Sequence, residues 1–440
     1  MRSVSLLLFA GSALAFPAVV LDGLTARAPK TAGCPFADAA LHKRQAPLMY
    51  HSIRPGKKST YPANMPLCLP RLGTSVALAP GLMRWQTMVI SPTMEWFVFG
   101  PCNMSIKQPV HSLFQTPLAQ AIEATNKVFG MGMDLGTALS VYSTIYDGNP
   151  LTLQWSIGGS PSGLVLPPLL SAPQGLSGSH NKYEGDASAT RADAYMNNGD
   201  ATSLNLTFFK QLYDLQPEGP GANFDYDVII QHRVTRRQYS VSTNPHFFNG
   251  PFSGFIALPA AYSFITRFMS NHSSEHPEGV LDHEVLKSFY GVGGNSDSLT
   301  YQKGYERIPD NWYKRNIDYS IPLYTLDLLY AGLKHPEFLS IGGNTGKVNS
   351  FAGVNVGDIT GGVYNSANLL EGNNLVCFAF QAAQQAMPDV LKRILGDLTA
   401  ALGLWTAKIT PILSGLGCPQ LTKYDPTIFG TYPGSGGGAL

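Results

Sequence analysis

From about Leu118 the chain places apolar residues at helical spacing. Leu135, Ala138, Leu139, Tyr142, Ile145 and Tyr146 recur three or four residues apart, with Gly148 just after them as a stop signal. Thr207 to Leu215, Asp225 to Ser242, Asp282 to Tyr290 and Pro322 to Lys334 read as further helices. Val390, Leu391, Ile394, Leu395, Leu398 and Leu402 form another apolar stripe. Gly and Pro dominate 157–178, which reads as a long loop, and the Gly-rich end at 426–440 reads as a flexible tail. Residues 46–115 keep no sustained period and are rich in Pro and Met. No repeats are visible. The pattern predicts a mainly α fold: one large helical domain with long loops over 116–425.

Composition adds bounds. The chain has 440 residues, 44% of them hydrophobic, enough for a large core. A net charge of +1 offers no field for nucleic acid or a membrane surface. Arg2, the apolar run Val4 to Ala10 and then Ala13-Leu14-Ala15 read as a secretory signal peptide over 1–15, too short to span a bilayer. Residues 16–45 follow as a leader or propeptide, with Lys43-Arg44 as a weak processing signal. An extracellular protein meets an oxidising compartment. Of Cys34, Cys68, Cys102, Cys377 and Cys418, one must stay unpaired or ligate something. Cys377 and Cys418 flank a helical stretch and are the pair expected to form a disulfide. Acceptor sequences for N-glycans begin at Asn103, Asn205 and Asn271.

Candidate chemistry concentrates between His180 and Asp193. Glu184-Gly185-Asp186-Ala187-Ser188 packs two carboxylates, a Gly and a hydroxyl into five residues. Such hard oxygen donors suit Mg²⁺ or Ca²⁺. A polar turn whose acids cap a helix is the plainer reading. The run resembles the Glu-Gly-Asp-x-Ser-x-x-Arg motif of the fungal haem-thiolate peroxidases, the chloroperoxidase and unspecific peroxygenase family. That resemblance spans roughly 118–425. It includes Asn223-Phe224-Asp225, Ser242-Thr243-Asn244-Pro245 and Gly346-Lys347-Val348-Asn349-Ser350-Phe351 in the same order. The Gly346-Lys347 pair is not a phosphate loop: Val348 follows where Ser or Thr is needed, and Ile341 replaces the first Gly.

The resemblance implies a chloroperoxidase-like helical fold, haem b, hydrogen peroxide and a small-molecule substrate. It also implies Mg²⁺ held by the Glu184 carboxylate, the Gly185 carbonyl and the Ser188 hydroxyl, with Tyr183 in the substrate pocket. One family feature is missing. The proximal cysteine belongs to a Pro-Cys-Pro-Gly-Leu-Asn-x-Leu-Ala-Asn-His-Gly pattern, and Pro101-Cys102-Asn103 is the nearest approach. A thiolate there favours O–O cleavage.

The codons explain the gap. Residues 75–96, read one base earlier, give Ala across Met83/Arg84 (with a CGN codon) and across Trp85/Gln86. They give Gly across Met88/Val89 and across Met94/Glu95. The other positions permit the family pattern, its Cys arising across Leu78 and Ala79. Phe97-Val98 permits a splice donor, and His111 to Gln115 permits an acceptor. On this reading 46–96 is out of frame and 97–115 is unspliced intron, so Cys68, Cys102 and Asn103 are artefacts. A divergent but real segment is the alternative.

The family's acid–base pair is also absent: Ser253 and Ala260 stand about where a Glu and its partner should fall. His180 reads as a structural hydrogen-bonding residue or a proton shuttle, and Arg191 and Asp193 as a local ion pair. Phe247, Phe248, Phe252, Phe255, Tyr262 and Phe264 read as core or as channel lining. Two functions follow: a secreted haem-dependent peroxidase, or a non-catalytic relative that kept the scaffold.

Overall fold

A computed structural model describes residues 115–148, 153–156, 179–391 and 395–438. The expected signal peptide, leader and irregular segment, up to residue 114, and the expected loop at 157–178 lie outside the described residues. So do Cys34, Cys68, Cys102 and Asn103.

The described chain is mainly α. It runs through β1 (Gln115–Pro117), α1 (Leu118–Phe129), α2 (Met133–Asp147) and β2 (Gln154–Ser156). After the acidic stretch come α3 (Leu206–Tyr213), α4 (Tyr226–Thr243), β3 (Phe248–Asn249), a π-helical turn (Ser253–Ala257) and α5 (Leu258–Met269). Next are α6 (His283–Tyr290), β4 (Val292–Gly293), β5 (Thr300–Tyr301), α7 (Ile321–Lys334), β6 (Gly342–Gly343) and β7 (Ala352–Gly353). The chain closes with α8 (Val356–Thr360), α9 (Asn374–Leu391), α10 (Leu395–Gly415) and two 3₁₀ segments, Pro426–Thr431 and Pro433–Gly438. The strands form small antiparallel ladders, β1 with β2, β3-β6-β7, and β4 with β5. In the second, Phe248 faces Gly343.

The expected helices form within a residue or two of their limits, because their caps are written locally. Asp225 accepts from Val228 N and opens α4. Asp282 accepts from Val285 N and opens α6. Asn205 accepts from Thr207 N and Phe208 N and opens α3. That leaves Asn205, a glycan acceptor by sequence, holding a helix start with its Oδ1. At Asn271 the amide nitrogen reaches Asn311 O at 3.4 Å and Oδ1 accepts from Tyr313 N.

All six residues of the first apolar stripe on α2 are buried. Helix α2 packs on α1, α9 and α10, while α5 packs on α4, α6 and α7. The six aromatics from Phe247 to Phe264 are each 2% exposed or less, which makes them core. Tyr142 stacks on Phe252 with centroids 3.7 Å apart, tying the two helical groups together.

Two expectations change. The stripe from Val390 to Leu402 is divided between α9 and α10, and Leu402 is 39% exposed. The inward face of α10 is instead Ala401, Trp405, Ile409 and Leu413, a strict i, i+4 repeat. Residues 426–438 are packed, not a loose tail: Phe429 and Tyr432 are buried against Phe248. Two aromatics in an otherwise Gly-rich segment are enough to anchor it. Cys377 and Cys418 are joined, closing a separation of 41 residues from the start of α9 past the end of α10.

Candidate functional site

The acidic stretch folds as a compact turn before α3. Ser179 O accepts from the amides of Lys182, Tyr183 and Glu184, and Asn181 N returns to Glu184 O at 2.7 Å. Asn181 and Ala187 both sit at φ 60°. Asn tolerates the left-handed region; Ala pays for it in strain, and the surroundings must hold it there. They do so from both sides. Ala187 N donates to Asp193 Oδ1 at 3.0 Å, and Tyr262 OH donates to Ala187 O at 2.7 Å.

Helix α4 grips the same turn. His232 meets Ala189 O at 2.7 Å, Arg236 Nε donates to Ser188 O at 3.0 Å, and Ser240 Oγ donates to Asp193 Oδ1 at 2.9 Å. These residues share the face of α4 turned to the core. Asn244, the C-cap of α4, donates to Asp193 Oδ2 at 2.9 Å and to Asp186 Oδ2 at 3.2 Å. The Arg236 guanidinium lies 3.9 Å from Asp193 Oδ1 and 3.3 Å above the Phe208 ring. A guanidinium beside Asp193 thus comes from α4, forty-three residues on in the chain. Arg191 is itself buried, and its positive charge acts on Glu184.

His180 Nδ1 is 2.8 Å from Glu184 Oε2, and its Nε2 is 4.0 Å from Asp186 Oδ1. Burial works against a charged His180. The charge and hydrogen bond of Glu184, with Asp186 and Asp193 behind them, outweigh that and raise its pKa to about 9. Burial pushes the Glu184 carboxyl up, against the pull of His180. Burial and the neighbouring Asp193 charge push Asp186 up as well. His180 is thus hydrogen-bonded to Glu184, as a structural histidine would be.

Glu184 and Asp186 are 1% and 3% exposed, and Glu184 Oε1 and Asp186 Oδ1 have no hydrogen-bond partner. A buried carboxylate oxygen left open is costly unless a cation or a donor completes it. Ser188 and Tyr183 are buried in the same turn. Among the described residues no group of three or more His, Cys, Asp or Glu side chains could hold a metal ion. The expected Mg²⁺ set of one carboxylate, one carbonyl and one hydroxyl is not such a group, so the free Glu184 oxygen is what speaks for a cation.

Haem fits less well. The two cysteines in the described residues are consumed by the disulfide. Ser253 and Ala260 are both buried at the positions where an acid–base pair was sought. The described cysteines thus leave no free thiolate, and neither Ser253 nor Ala260 carries a carboxylate. A cleft of about 400 Å³ opens beside the turn, lined by His180, Asn181, Asp186, Tyr195, His246 and Gly434 among others. Sequence reasoning missed its outer wall. Residues 433–436 arrive from the far end of the chain, and no local pattern signals that.

Comparisons with known proteins agree in one direction. The family model described as "Peroxidase, family 2" matches residues 115–317. An aromatic peroxidase of Fusarium equiseti is 42% identical over 313 residues, 70% of this chain and 71% of that protein. A dothistromin biosynthesis peroxidase of Dothistroma septosporum is 42% identical over 343 residues, 76% of this chain and 81% of its own length. An aromatic peroxygenase of Cyclocybe aegerita is 28% identical over 259 residues, 57% and 62% of the two chains. No helix among the described residues is long and apolar enough to cross a membrane.

Proposed function

Because the chain belongs to the fungal haem-thiolate peroxidases of family 2, we propose that it is a secreted peroxidase using hydrogen peroxide to oxidise small organic molecules. Haem b, when bound, supplies the iron that activates peroxide. The acidic turn carries the reading: Glu184 is sealed in the core, yet one oxygen is open. We take that oxygen, with the Gly185 carbonyl and the Ser188 hydroxyl, as the ligands of Mg²⁺. His232, Arg236 and Tyr262 then act as positioning residues. They hold the carbonyls of Ala189, Ser188 and Ala187, and so fix where the ligands point.

The missing thiolate is ascribed to a misread gene, with 46–96 out of frame and 97–115 unspliced. The family match beginning at residue 115 supports that boundary. Sequencing of the transcript tests it: a spliced message restoring the Pro-Cys-Pro pattern is expected, and a message matching this protein through 46–115 ends the idea.

A second reading, a non-catalytic family member, is favoured by Ser253 and Ala260, since neither side chain can relay a proton as a carboxylate does. The corrected chain separates the two. A Soret band with a thiolate-type shift in its carbon monoxide complex, and peroxide-dependent turnover of a phenol, support the peroxidase. Failure to take up haem supports the relative without activity. For the metal, bound Mg²⁺ measured by elemental analysis is expected near one per chain. It should be lost in Glu184→Gln; equal content in both proteins removes the assignment.

A further inference from the structure

We propose that Met133 and Met196 are sites of oxidative modification, where hydrogen peroxide turns the thioether into a sulfoxide that the fold tolerates. Met133 is 54% exposed and Met196 48%, while Met131 is 1% and Met269 0% exposed. Met131 and Met133, two residues apart, thus lie on opposite sides of the protein surface. Met133 opens α2 with its side chain in solvent. Met131, in the turn before it, is fixed inward. Asn126 Nδ2 donates to Met131 O at 2.8 Å, a bridge joins Met131 to Tyr319, and a Cβ on Gly136 would stand 3.7 Å from the Met131 sulfur. Met269 closes α5, and Trp312 Nε1 donates to its carbonyl at 2.8 Å. Met196 sits in the 3₁₀ turn Tyr195–Asn197, beside the equally open Tyr195.

The step needs no metal. A sulfur lone pair takes one oxygen of the peroxide, so that an S–O bond forms as the O–O bond breaks. Sulfur gives up two electrons, and the second oxygen leaves with both protons as water. The described cysteines, Cys377 and Cys418, are already joined and offer no thiolate to compete. Peroxide is the co-substrate of the proposed reaction. The inference rests on that reading for the source of the oxidant and for nothing else. A sulfoxide oxygen is a polar acceptor placed where an apolar sulfur stood. At Met133 and Met196 water answers it. At Met131 and Met269 it would be sealed in the core, which is why the fold tolerates the first pair and shields the second.

The test uses the full chain without added haem. Dilute hydrogen peroxide is added, quenched with catalase at intervals, and the peptides are mapped by mass spectrometry with fragmentation that separates Met131 from Met133. The same chain in urea gives the rate at which each sulfur reacts when fully open. Met133 and Met196 should gain one oxygen each, within about threefold of their rate in urea. Met131 and Met269 should react at least about tenfold more slowly than in urea, because peroxide reaches them only when the fold opens. Methionine sulfoxide reductase should remove the added oxygen, which places it on sulfur. In Met133→Leu and Met196→Leu the oxygen should vanish from the altered position while Met131 and Met269 stay protected. The melting temperature should not change as the two surface sulfoxides form. Oxidation of Met131 or Met269 as fast as Met133, no oxygen at Met133 and Met196, or a melting temperature that falls in step with the surface sulfoxides would each overturn the proposal. The peroxide is supplied from outside, so loss of the peroxidase reading would leave these readouts as they are, and their failure would leave that reading as it is.

Discussion

At the scale of single residues, Asp193 is the hub that the motif alone did not reveal. It accepts from Ala187 N, Ser240 Oγ and Asn244 Nδ2 while buried beside Arg236. Asp193→Ala leaves three donors and a guanidinium unanswered. A loss of about 3–5 kcal/mol is expected in urea unfolding, and a loss below about 1 kcal/mol would show that water replaces it. His232 makes a second prediction. Burial, opposed by the Ala189 carbonyl and aided by Arg236, lowers its pKa from 6.5 to about 4. Between those values the unfolded chain binds more protons than the folded one. Stability therefore falls as pH drops from about 6.5 to about 4, by up to about 3 kcal/mol from this group. Unfolding midpoints compared at neutral and acid pH should show it, and His232→Gln should flatten the dependence. An unchanged slope in the variant would remove His232 as the cause.

Among the elements, the π-helical turn at Ser253–Ala257 joins β3 to α5, and one glycine makes it possible. A Cβ on Gly254 would run into the Asn249 side chain, which donates to Ser340 O. Gly254→Ala is expected to cost about 1–3 kcal/mol and to loosen β3, read as faster amide exchange at Phe248 and Asn249. Unaltered exchange would mean that Asn249 yields without strain. The starts of α4 and α6 were legible at Asp225 and Asp282 because an N-cap acts on amides only two or three residues away, whereas the cap role of Asn205 was not read from the sequence. The π-helical turn was not, since nothing in Ser-Gly-Phe-Ile-Ala separates it from an ordinary helix start. The division of the last stripe into α9 and α10 was illegible for a similar reason: a run of apolar residues does not say which face points inward.

Across the whole molecule, two links between distant parts of the chain hold the ends of the assembly. The Cys377–Cys418 bond closes a 41-residue separation, and its reduction should lower stability by about 3–4 kcal/mol, seen as a drop in melting temperature with reductant. An unchanged melt would show that the α9–α10 packing suffices. The closing segment seats Phe429 and Tyr432 on Phe248 and delivers Gly434 O to Asn181. A Cβ at Gly434 would collide with the His246 carbonyl. Gly434→Ala should therefore unseat the segment and expose Tyr432, measurable as raised susceptibility of 426–438 to protease. Resistance equal to the parent's would refute that seating.

Helical periodicity, N-cap chemistry, the density of oxygen donors from Glu184 to Ser188 and the family itself were all set by residues near one another in the chain. Such signals survive in the sequence because the physics behind them acts over a few residues. Only the tertiary structure decided the rest. It brought Arg236, Asn244 and Tyr262 onto the acidic turn, ran α10 inward along Ala401 to Leu413, and laid residues 433–436 against Asn181 and His246. Those contacts join positions from about forty to over two hundred and fifty residues apart, and burial and hydrogen-bond satisfaction select them only once the helices have packed.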